Sequence, residues 1–481
     1  MFESFLIING RSVGSPEGVT YERRDPMSDA VVTRASAGCV EDALAAADAA
    51  AAAFPSWSST RPDERAALLH EAARLFEARG DEVVAIAANE IGSSEAWIRF
   101  NIEIACQILR QAAELAALVG EEHPDVAPEG CDYILRRRPA GVVLGLAPWN
   151  AAVTLGARAV AAPLACGNTV VLKGSELCPK THEWVARAFC DAGLPAGVLN
   201  FITNAPEKAS EVVEALIAHP SVRRVNFTGS TRVGREIAVV AARHLKRCLL
   251  ELSGKGTMLI LEDADLDEAA RAAAHGAFFN MGQICMSTER IVVEEAVADA
   301  FLEKFLNVTR AMWEKSGNGA PLGHLISAQA ALRLRGLIDD AVAKGAQLLT
   351  GGEVFNTTMQ PAILDHVSPG MRLYSEECFG PVAGVIRVAD AEEGLSVAND
   401  TEFGLACSVF SADAERATEL LRNIECGIGH VNGSTVYDDP QMPFGGVKDS
   451  GYGRFGGQAA LEEFTEIQWL TVRKDRQTYI T

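Results

Sequence analysis

Through the middle of the chain, short apolar runs alternate with longer segments of helical period. The runs are Val142 to Leu146, Thr169 to Leu172, Val198 to Ile202 and Arg224 to Phe227, with helices expected near residues 154–165, 180–192, 207–217 and 231–243. Runs this short, bounded by turn-forming residues, suit strands better than helices. Parallel neighbours need a crossover between them, so the alternation predicts a mostly parallel sheet wrapped by helices. A second run of the same kind begins at Leu249 and continues through Met258 to Leu261, Ile291 to Val293, Ala383 to Val388 and Ala406 to Phe410. Two α/β units are therefore expected, meeting near Glu251.

Before Gly141 the pattern is helical. Val40 to Phe54 is alanine-rich, and Thr60-Arg61-Pro62-Asp63 reads as a capping box with proline in the first turn, opening a helix through Arg79. Further helices are expected over 81–89 and 101–119. Prolines and acids from Glu121 to Gly130 break the pattern, and Cys131 to Arg138 alternates like a strand. There is no internal repeat, low-complexity tract or flexible linker.

With 481 residues, 48% hydrophobic and 22% charged, the chain can build two or three domains with sizeable cores. A net charge of -21 argues against nucleic acid as a partner. The eleven cysteines are odd in number and contain no Cys-x-x-Cys pair, so neither a disulfide framework nor a zinc site is indicated and a reducing cytoplasm is expected. The first residues lack the basic n-region and long apolar run of a signal peptide. Pro139 to Leu172 is apolar but holds Pro148, Asn150, Arg158 and Pro163, which suits a buried core and not a membrane span. No metal is expected: Asp263 to Asp267 imitates a calcium loop, but Glu268 and Ala274 stand where that loop needs glycine and glutamate.

Candidate chemistry centres on Asn280 to Arg290, which sets Cys285 among small and uncharged neighbours. A cysteine attacks as thiolate, and helix N-terminal amides or a cofactor's positive charge can lower its pKa enough for that. Gly451-Tyr452-Gly453-Arg454-Phe455-Gly456 is a literal G-x-G-x-x-G, but no strand precedes it and no βαβ unit follows. A better phosphate site is Phe227-Thr228-Gly229-Ser230, where a strand turns into a helix N-terminus, although an ordinary βα turn has the same pattern. Asn150 ends another strand, as a donor to a developing oxyanion or as a helix cap. Lys173, Ser175 and Glu176 end the next, where the Lys and Glu could hold ribose hydroxyls or form a solvated pair. Glu251 ends the run Cys248 to Leu250, as a general base or as the partner of Lys255.

Taken in order, Pro148-Trp149-Asn150, Lys173 to Glu176, Phe227 to Ser230, Glu251-Leu252-x-Gly254-Lys255, Gly282-Gln283-x-Cys285, Glu377-x-Phe379-Gly380-Pro381 and Pro443 to Gly451 resemble the aldehyde dehydrogenase superfamily over essentially the whole chain. Gln283 to Arg290, Met442 to Phe455 and Pro163 to Asn168 are most similar to bacterial salicylaldehyde, vanillin and benzaldehyde dehydrogenases. The resemblance implies a Rossmann-like NAD-binding domain (1–121 and 141–251), a catalytic domain (252–446) and a β oligomerisation arm (122–140 and 458–481), with the chain a homodimer or homotetramer. It implies that Cys285 attacks the aldehyde, that Asn150 and the Cys285 N–H hold the oxyanion, and that Glu251 activates the water that hydrolyses the thioester. Trp149, Lys173, Ser175, Glu176, Gly229, Ser230, Glu377 and Phe379 match cofactor-contacting positions, and Glu176 favours NAD over NADP.

Arg158 is the only charge between Arg138 and Lys173. In this family its helix borders the substrate tunnel, so Arg158 is expected either to bind an oxygen substituent on an aromatic ring or to pair with an internal carboxylate. Val153, Ile284, Met286, Tyr437 and Phe444 are the expected apolar wall. Ser253, Gly174 and Met281 depart from the family pattern, and Ser253 and Met281 are expected near the catalytic pair, where they bear on water access. The alternatives are an aliphatic semialdehyde dehydrogenase, with Arg158 on a distal carboxylate, and a non-catalytic binding protein. Coenzyme A acylation is disfavoured because Glu251 supplies a hydrolytic base.

Overall fold

In the computed structural model, residues 1–15, 18–315 and 322–474 are described. The apolar runs are strands: Val142–Leu146, Thr169–Lys173, Leu199–Ile202, Val222–Thr228 and Arg247–Glu251 lie side by side in one sheet, mutually parallel. Val142–Leu146 sits in the middle. The next two strands extend the sheet to one side and the last two to the other, creating a switch point between Val142–Leu146 and Val222–Thr228. Leu6–Ile8 and Arg11–Val13 close one edge antiparallel, and Gly451–Tyr452 closes the other.

Both faces of this sheet are covered, which is why its central strands Val142–Leu146 and Thr169–Lys173 are buried along their whole length and do not alternate. Val143, Val170 and Leu172 face one core, with the helices Pro62–Ala78, Glu95–Leu115 and Ala152–Ala165. Val142, Leu144 and Val171 face the other, with Val40–Ser58 and Ala209–Ala218. Every residue of Ala152–Ala165 is buried, Arg158 included.

A second sheet runs Gln347–Thr350, Ala362–Asp365, Val382–Val388, Thr288–Glu294, Gly256–Ile260, Ala406–Phe410, Ile428–Val431, parallel except for its first pair. Its core is separate and includes Phe278, Phe301, Phe305 and Met281. In a third, antiparallel sheet Thr465–Arg473 pairs with Cys131–Pro139 along its full length, and Glu121–Glu122 pairs on the far side. The end of the expected arm, 475–481, lies outside the described residues. Among the described residues no helix is long and apolar enough to cross a membrane.

Two expectations need correction. Leu249 does not open the second unit: its strand pairs with Val222–Thr228 in the first sheet, and the second begins at Gly256. Thr60 does not cap a helix. The first turn of Pro62–Ala78 starts from Arg61, which pairs with Asp63 and Glu64, while the Thr60 hydroxyl donates back to Ser56.

Next to Glu251 and Cys285, the segment after Glu251 runs against the segment after Cys285 as the two lead into neighbouring strands of the second sheet. A Cβ on Gly254 would stand 2.2 Å from the Cys285 carbonyl oxygen, and one on Gly256 would stand 2.3 Å from that of Ser287. Only glycine lets these backbones approach so closely. Gly254→Ala is expected to lower the free energy of unfolding by roughly 1–3 kcal/mol, the usual cost of forcing an extra carbon into a filled site. Equilibrium denaturation of the two proteins checks this, and an unchanged midpoint would show that the crossing tolerates slack.

Candidate active site

Because the strands are parallel and in register, their carboxyl ends share one edge of the sheet. Glu251 is the last residue of its strand. Gly229 and Ser230 follow Val222–Thr228, Trp149 and Asn150 follow Val142–Leu146, and Lys173, Ser175 and Glu176 end or follow Thr169–Lys173. Three adjoining cavities open along this edge. The largest, about 570 Å³, is lined by Trp149, Lys173, Ser175, Glu176, Gly229 and Ser230. The second, about 270 Å³, shares Trp149, Gly229 and Ser230 with it and adds Asn150, Glu251, Cys285, Glu377 and Phe379. The third, about 40 Å³, shares Asn150 and Cys285 with the second and continues past Arg158, Ile284, Met286, Tyr437 and Phe444. Cys285 thus stands where two passages meet.

Cys285 reaches that position through an unusual turn. Asn280 and Met281 are left-handed, with φ of 48° and 57°, and Gly282 follows at 66°. A non-glycine residue in this region costs of order 1–3 kcal/mol, so the turn has to be held from outside. Ser93 Oγ donates to Asn280 Oδ1 (3.0 Å), and Gln283 Nε2 donates to the Asn280 and His324 carbonyls (3.2 and 3.0 Å). No helix begins at Cys285, so the expected help from helix amides is missing. Burial first, and then the Glu251 carboxyl, push the thiol well above its ordinary pKa.

Glu251 is almost fully buried, at 1% exposure. Neither of its oxygens has a hydrogen-bond partner of good geometry, although Cys285 and Thr228 sit beside it. Burial raises its pKa to about 7. Lys255 does not reach it: the Lys255 ammonium donates to Glu289 (2.7 Å), the Glu376 carbonyl (2.6 Å) and Cys378 Sγ (3.4 Å). Asn150 does not cap the helix after it, which has no side-chain cap. Its side-chain amide nitrogen donates to the Gln283 carbonyl (3.1 Å), and its backbone carbonyl accepts from Trp97 Nε1 (2.8 Å). An amide nitrogen carries two hydrogens, so one donor beyond the Gln283 bond remains for a ligand.

Glu289 holds the loop that carries Glu377 and Phe379. Its carboxylate accepts from Lys255 and from the Cys378 and Phe379 amides (2.7 and 2.9 Å). Glu377 then accepts from the Gly254 amide (3.0 Å), and burial followed by the Glu289 charge lifts its pKa to about 7. The Phe379 ring meets Trp149 edge-on, 5.9 Å between centroids.

In the largest cavity Lys173 and Glu176 pair at 3.2 Å, and the Lys173 side chain is only 9% exposed, so this is no solvated pair. Ser230 caps the helix Thr231–Arg243. Val213, Ile217, Val233 and Val240, from the two helices flanking the cleft, add an apolar slot that the sequence motifs had not marked. Strand ends, a capped helix N-terminus, a Lys/Glu pair and an apolar slot together fit a dinucleotide.

The third cavity is walled by Trp97, Phe100, Ile104, Leu155, Ile284, Met286, Val436, Tyr437 and Phe444. Val153 does not line it: it is buried in the neighbouring core, and Thr154 and Leu155 face the tunnel instead. Trp97, Phe100 and Ile104 escaped the sequence reading, although their spacing by three and four marks one helical face. Arg158 lines the tunnel and pairs with Asp438 at 2.5 Å, with its guanidinium over the Phe444 ring, 4.3 Å from the centroid.

The three departures separate cleanly. Met281 is a fully buried residue of the second core and lines none of these cavities, so it does not touch water access. Ser253 does line the Cys285 cavity. At Gly174 a Cβ would stand 2.7 Å from the Phe201 ring and 3.0 Å from His182, so only glycine fits.

The model of the aldehyde dehydrogenase family matches residues 14–470. The chain is 52% identical over 482 residues to the vanillin dehydrogenase of Pseudomonas sp. (strain HR199 / DSM 7063), covering 100% of both. It superimposes on the crystal structure of a salicylaldehyde dehydrogenase from Pseudomonas putida G7 complexed with salicylaldehyde with a TM-score of 0.96, at 42% identity and 100% coverage of both chains. An NAD-dependent aldehyde dehydrogenase from Sinorhizobium meliloti gives a TM-score of 0.94 at 31% identity, covering 99% of this chain and 96% of that one.

The Glu251 charge is one reason the thiol resists ionisation, so its removal has a defined consequence. Glu251→Gln is expected to move the pH profile of Cys285 alkylation by iodoacetamide downward by about one pH unit. Mass spectrometry of the peptide holding Cys285 reads this without interference from the other thiols, and an upward or absent shift would contradict the electrostatic account.

Proposed function

The chain belongs to the aldehyde dehydrogenase family, and from that premise we propose that it oxidises an aromatic aldehyde of the vanillin, salicylaldehyde or benzaldehyde type to the carboxylic acid with NAD. One observation carries the substrate class: an apolar tunnel, walled in part by Trp97, Phe100, Tyr437 and Phe444, ends at Cys285. A flat ring fills such a channel, and aromatic faces and edges give it contacts that a flexible aliphatic chain gains only at a cost in entropy. The vanillin and salicylaldehyde dehydrogenases among the relatives support the reading. For an aliphatic semialdehyde, Arg158 would have to hold the distal carboxylate, and it is already bound to Asp438.

In this reading Glu251, ionised, takes the thiol proton of Cys285 as Sγ attacks the aldehyde carbon and passes it on to solvent, and the resulting oxyanion is held by the second amide hydrogen of Asn150 and by the Cys285 backbone N–H. Such donors act most strongly in a buried, preorganised site. NAD, when bound, supplies the hydride acceptor that converts the thiohemiacetal to a thioester. Glu251, ionised, then takes a proton from water attacking the thioester carbon, and Cys285 leaves as the thiolate. Its lack of strong hydrogen-bond partners leaves both oxygens free for that proton.

Trp149, Lys173, Ser175, Glu176, Gly229, Ser230, Glu377 and Phe379 would hold the cofactor, with Lys173 and Glu176 on ribose hydroxyls. Among the described residues lining the large cavity, Glu176, Glu207, Glu214 and Glu236 are acids and Lys173 is the one cation. A 2′-phosphate would meet net repulsion there, which favours NAD over NADP. We assign 1–121 and 141–251 to the cofactor domain, 252–446 to the catalytic domain, and 122–140 with 458–481 to an arm joining subunits into a homodimer or homotetramer. The exposed Ile467, Trp469 and Val472 on the strand Thr465–Arg473 support the arm's role. Eleven free cysteines suit a reducing cytoplasm.

The test is the initial rate of NADH formation with salicylaldehyde, vanillin, benzaldehyde, succinic semialdehyde and hexanal. Ring aldehydes are expected to give the highest kcat/KM, NADP to replace NAD poorly, and Cys285→Ala to abolish turnover. A preference for succinic semialdehyde would refute the aromatic assignment. The base has its own signature. Because the Glu251 pKa stands near 7, thioester hydrolysis should fall about tenfold for each pH unit below 7 and level off above it. Single-turnover measurements of acid release across pH 5 to 9 check this, and a profile flat through that range would remove Glu251 as the base.

A further inference from the structure

The carboxylate that neutralises Arg158 is only half used. Asp438 Oδ2 accepts from Arg158 Nη2 at 2.5 Å, and the two side chains are 8% and 6% exposed. Asp438 Oδ1 is equally buried and has no hydrogen-bond partner. Asp438 lines the tunnel together with Cys285, and it also lines the small cavity of about 20 Å³ behind Arg158 and Phe444. A buried acceptor left without a donor is costly, and more so when it is charged. Asn101 Oδ1 in the same wall is also buried without a partner, but Asp438 is the one carboxylate among the described residues lining the tunnel, so its oxygen is the acceptor at which a ligand gains most from carrying an N–H or O–H.

We propose that Asp438 is a specificity-determining residue whose Oδ1 accepts a hydrogen bond from a phenolic hydroxyl on the substrate ring, making the preferred substrates hydroxylated benzaldehydes. The inference rests on the reading that ring aldehydes are the substrates and names which of them the site selects. The ligand must be the neutral phenol. A phenolate offers no hydrogen and would place a second negative charge against Asp438 in a poorly solvated site, where Arg158 is already engaged. A methoxy group at the same ring position offers no hydrogen either and leaves Oδ1 unpartnered. Sites built to bond a hydroxyl reject analogues that lack one far more strongly than apolar pockets reject a missing methylene. Arg158, which would by itself attract an anionic oxygen, serves here to hold Asp438 in place.

Asp438→Asn tests this with almost no change in shape. The amide carbonyl would face the guanidinium, because its NH2 cannot, and the NH2 would take the place of Oδ1. An acceptor becomes a donor. The experiment measures kcat/KM for 2-, 3- and 4-hydroxybenzaldehyde and their methoxy counterparts. In the unaltered enzyme, the hydroxyl is expected to outdo methoxy at one ring position at least, and in Asp438→Asn that ratio is expected to fall about tenfold or more. A ratio that stays the same overturns the proposal. A second readout does not depend on the variant. Cys285→Ala protein is mixed with the favoured hydroxybenzaldehyde at a pH where the free ligand is largely phenolate, and the absorption of the bound ligand is recorded. The neutral-phenol band supports the assignment, and a bound phenolate band refutes it. If no benzaldehyde of any kind were turned over, the failure would lie with the aromatic reading itself; ready turnover of all of them, indifferent to the hydroxyl, would leave that reading standing and remove this one.

Discussion

The active site depends on a close approach between two stretches of backbone. Glu251 ends a strand of one sheet, Cys285 lies just ahead of a strand of the other, and they face each other only because Gly254 and Gly256 let the chain pass directly against the carbonyls of Cys285 and Ser287. A side chain at either glycine would push the lead-in to Gly256–Ile260 off its neighbour, the lead-in to Thr288–Glu294, at the place where the base must meet the nucleophile. Small misplacements of reacting groups are expensive in catalysis, so a rigid crossing is a better support than a loop. The left-handed turn at Asn280 to Gly282 completes it, and the buried hydrogen bonds to Asn280 and Gln283 keep it in place.

Electrostatics at this crossing are arranged by burial more than by pairing. Burial raises the pKa of both Glu251 and Glu377 to about 7, and it also pushes the Cys285 thiol well above its ordinary value. Two ion pairs border the region without discharging these groups. Lys255 and Glu289 fix the loop bearing Glu377 and Phe379, and Arg158 and Asp438 pair in the wall of the tunnel. Each is a structural brace in which the cation's partner also serves backbone amides or faces a cavity. The reacting carboxylate and thiol are left free of strong partners, which suits groups that must gain and lose protons in turn.

Sheet topology supplies the second passage to Cys285. Building outward from Val142–Leu146 to both sides opens a cleft at the switch point, and the parallel register puts the ends of four strands on its rim. The rim is therefore set by the order in which strands are laid down, while the glycine at 174 lets Phe201 and His182 fill the space beneath it. His182 is pushed down to about 4 by burial, and its Nδ1 accepts from the Ser175 amide, so it is a neutral brace for the segment carrying Ser175 and Glu176.

Much of this was legible in the sequence. Apolar runs at strand length and helical segments between them defined the parallel sheets, because burial on both faces favours near-continuous apolar runs over alternation in such strands. The residues at strand ends, Asn150, Lys173, Ser230 and Glu251, were legible for the same reason: the chain's own grammar locates a strand's end, and parallel pairing brings the ends together. The sequence also showed that Arg158 needed a partner. It could not say which, since Asp438 lies 280 positions away and only packing of the two segments around one tunnel brings them to 2.5 Å. Val153 and Met281 were misplaced because a one-residue rotation on a helix, or a turn of opposite hand, exchanges tunnel for core, and local pattern does not resolve either. Capping at Thr60 failed where a local signal lost to the pairing of Arg61 with the acids after it. Periodicity thus determined which elements form and in what order, because it reflects local geometry and burial. Tertiary structure alone decided which side chains meet, because contact distances across the fold depend on how whole elements pack.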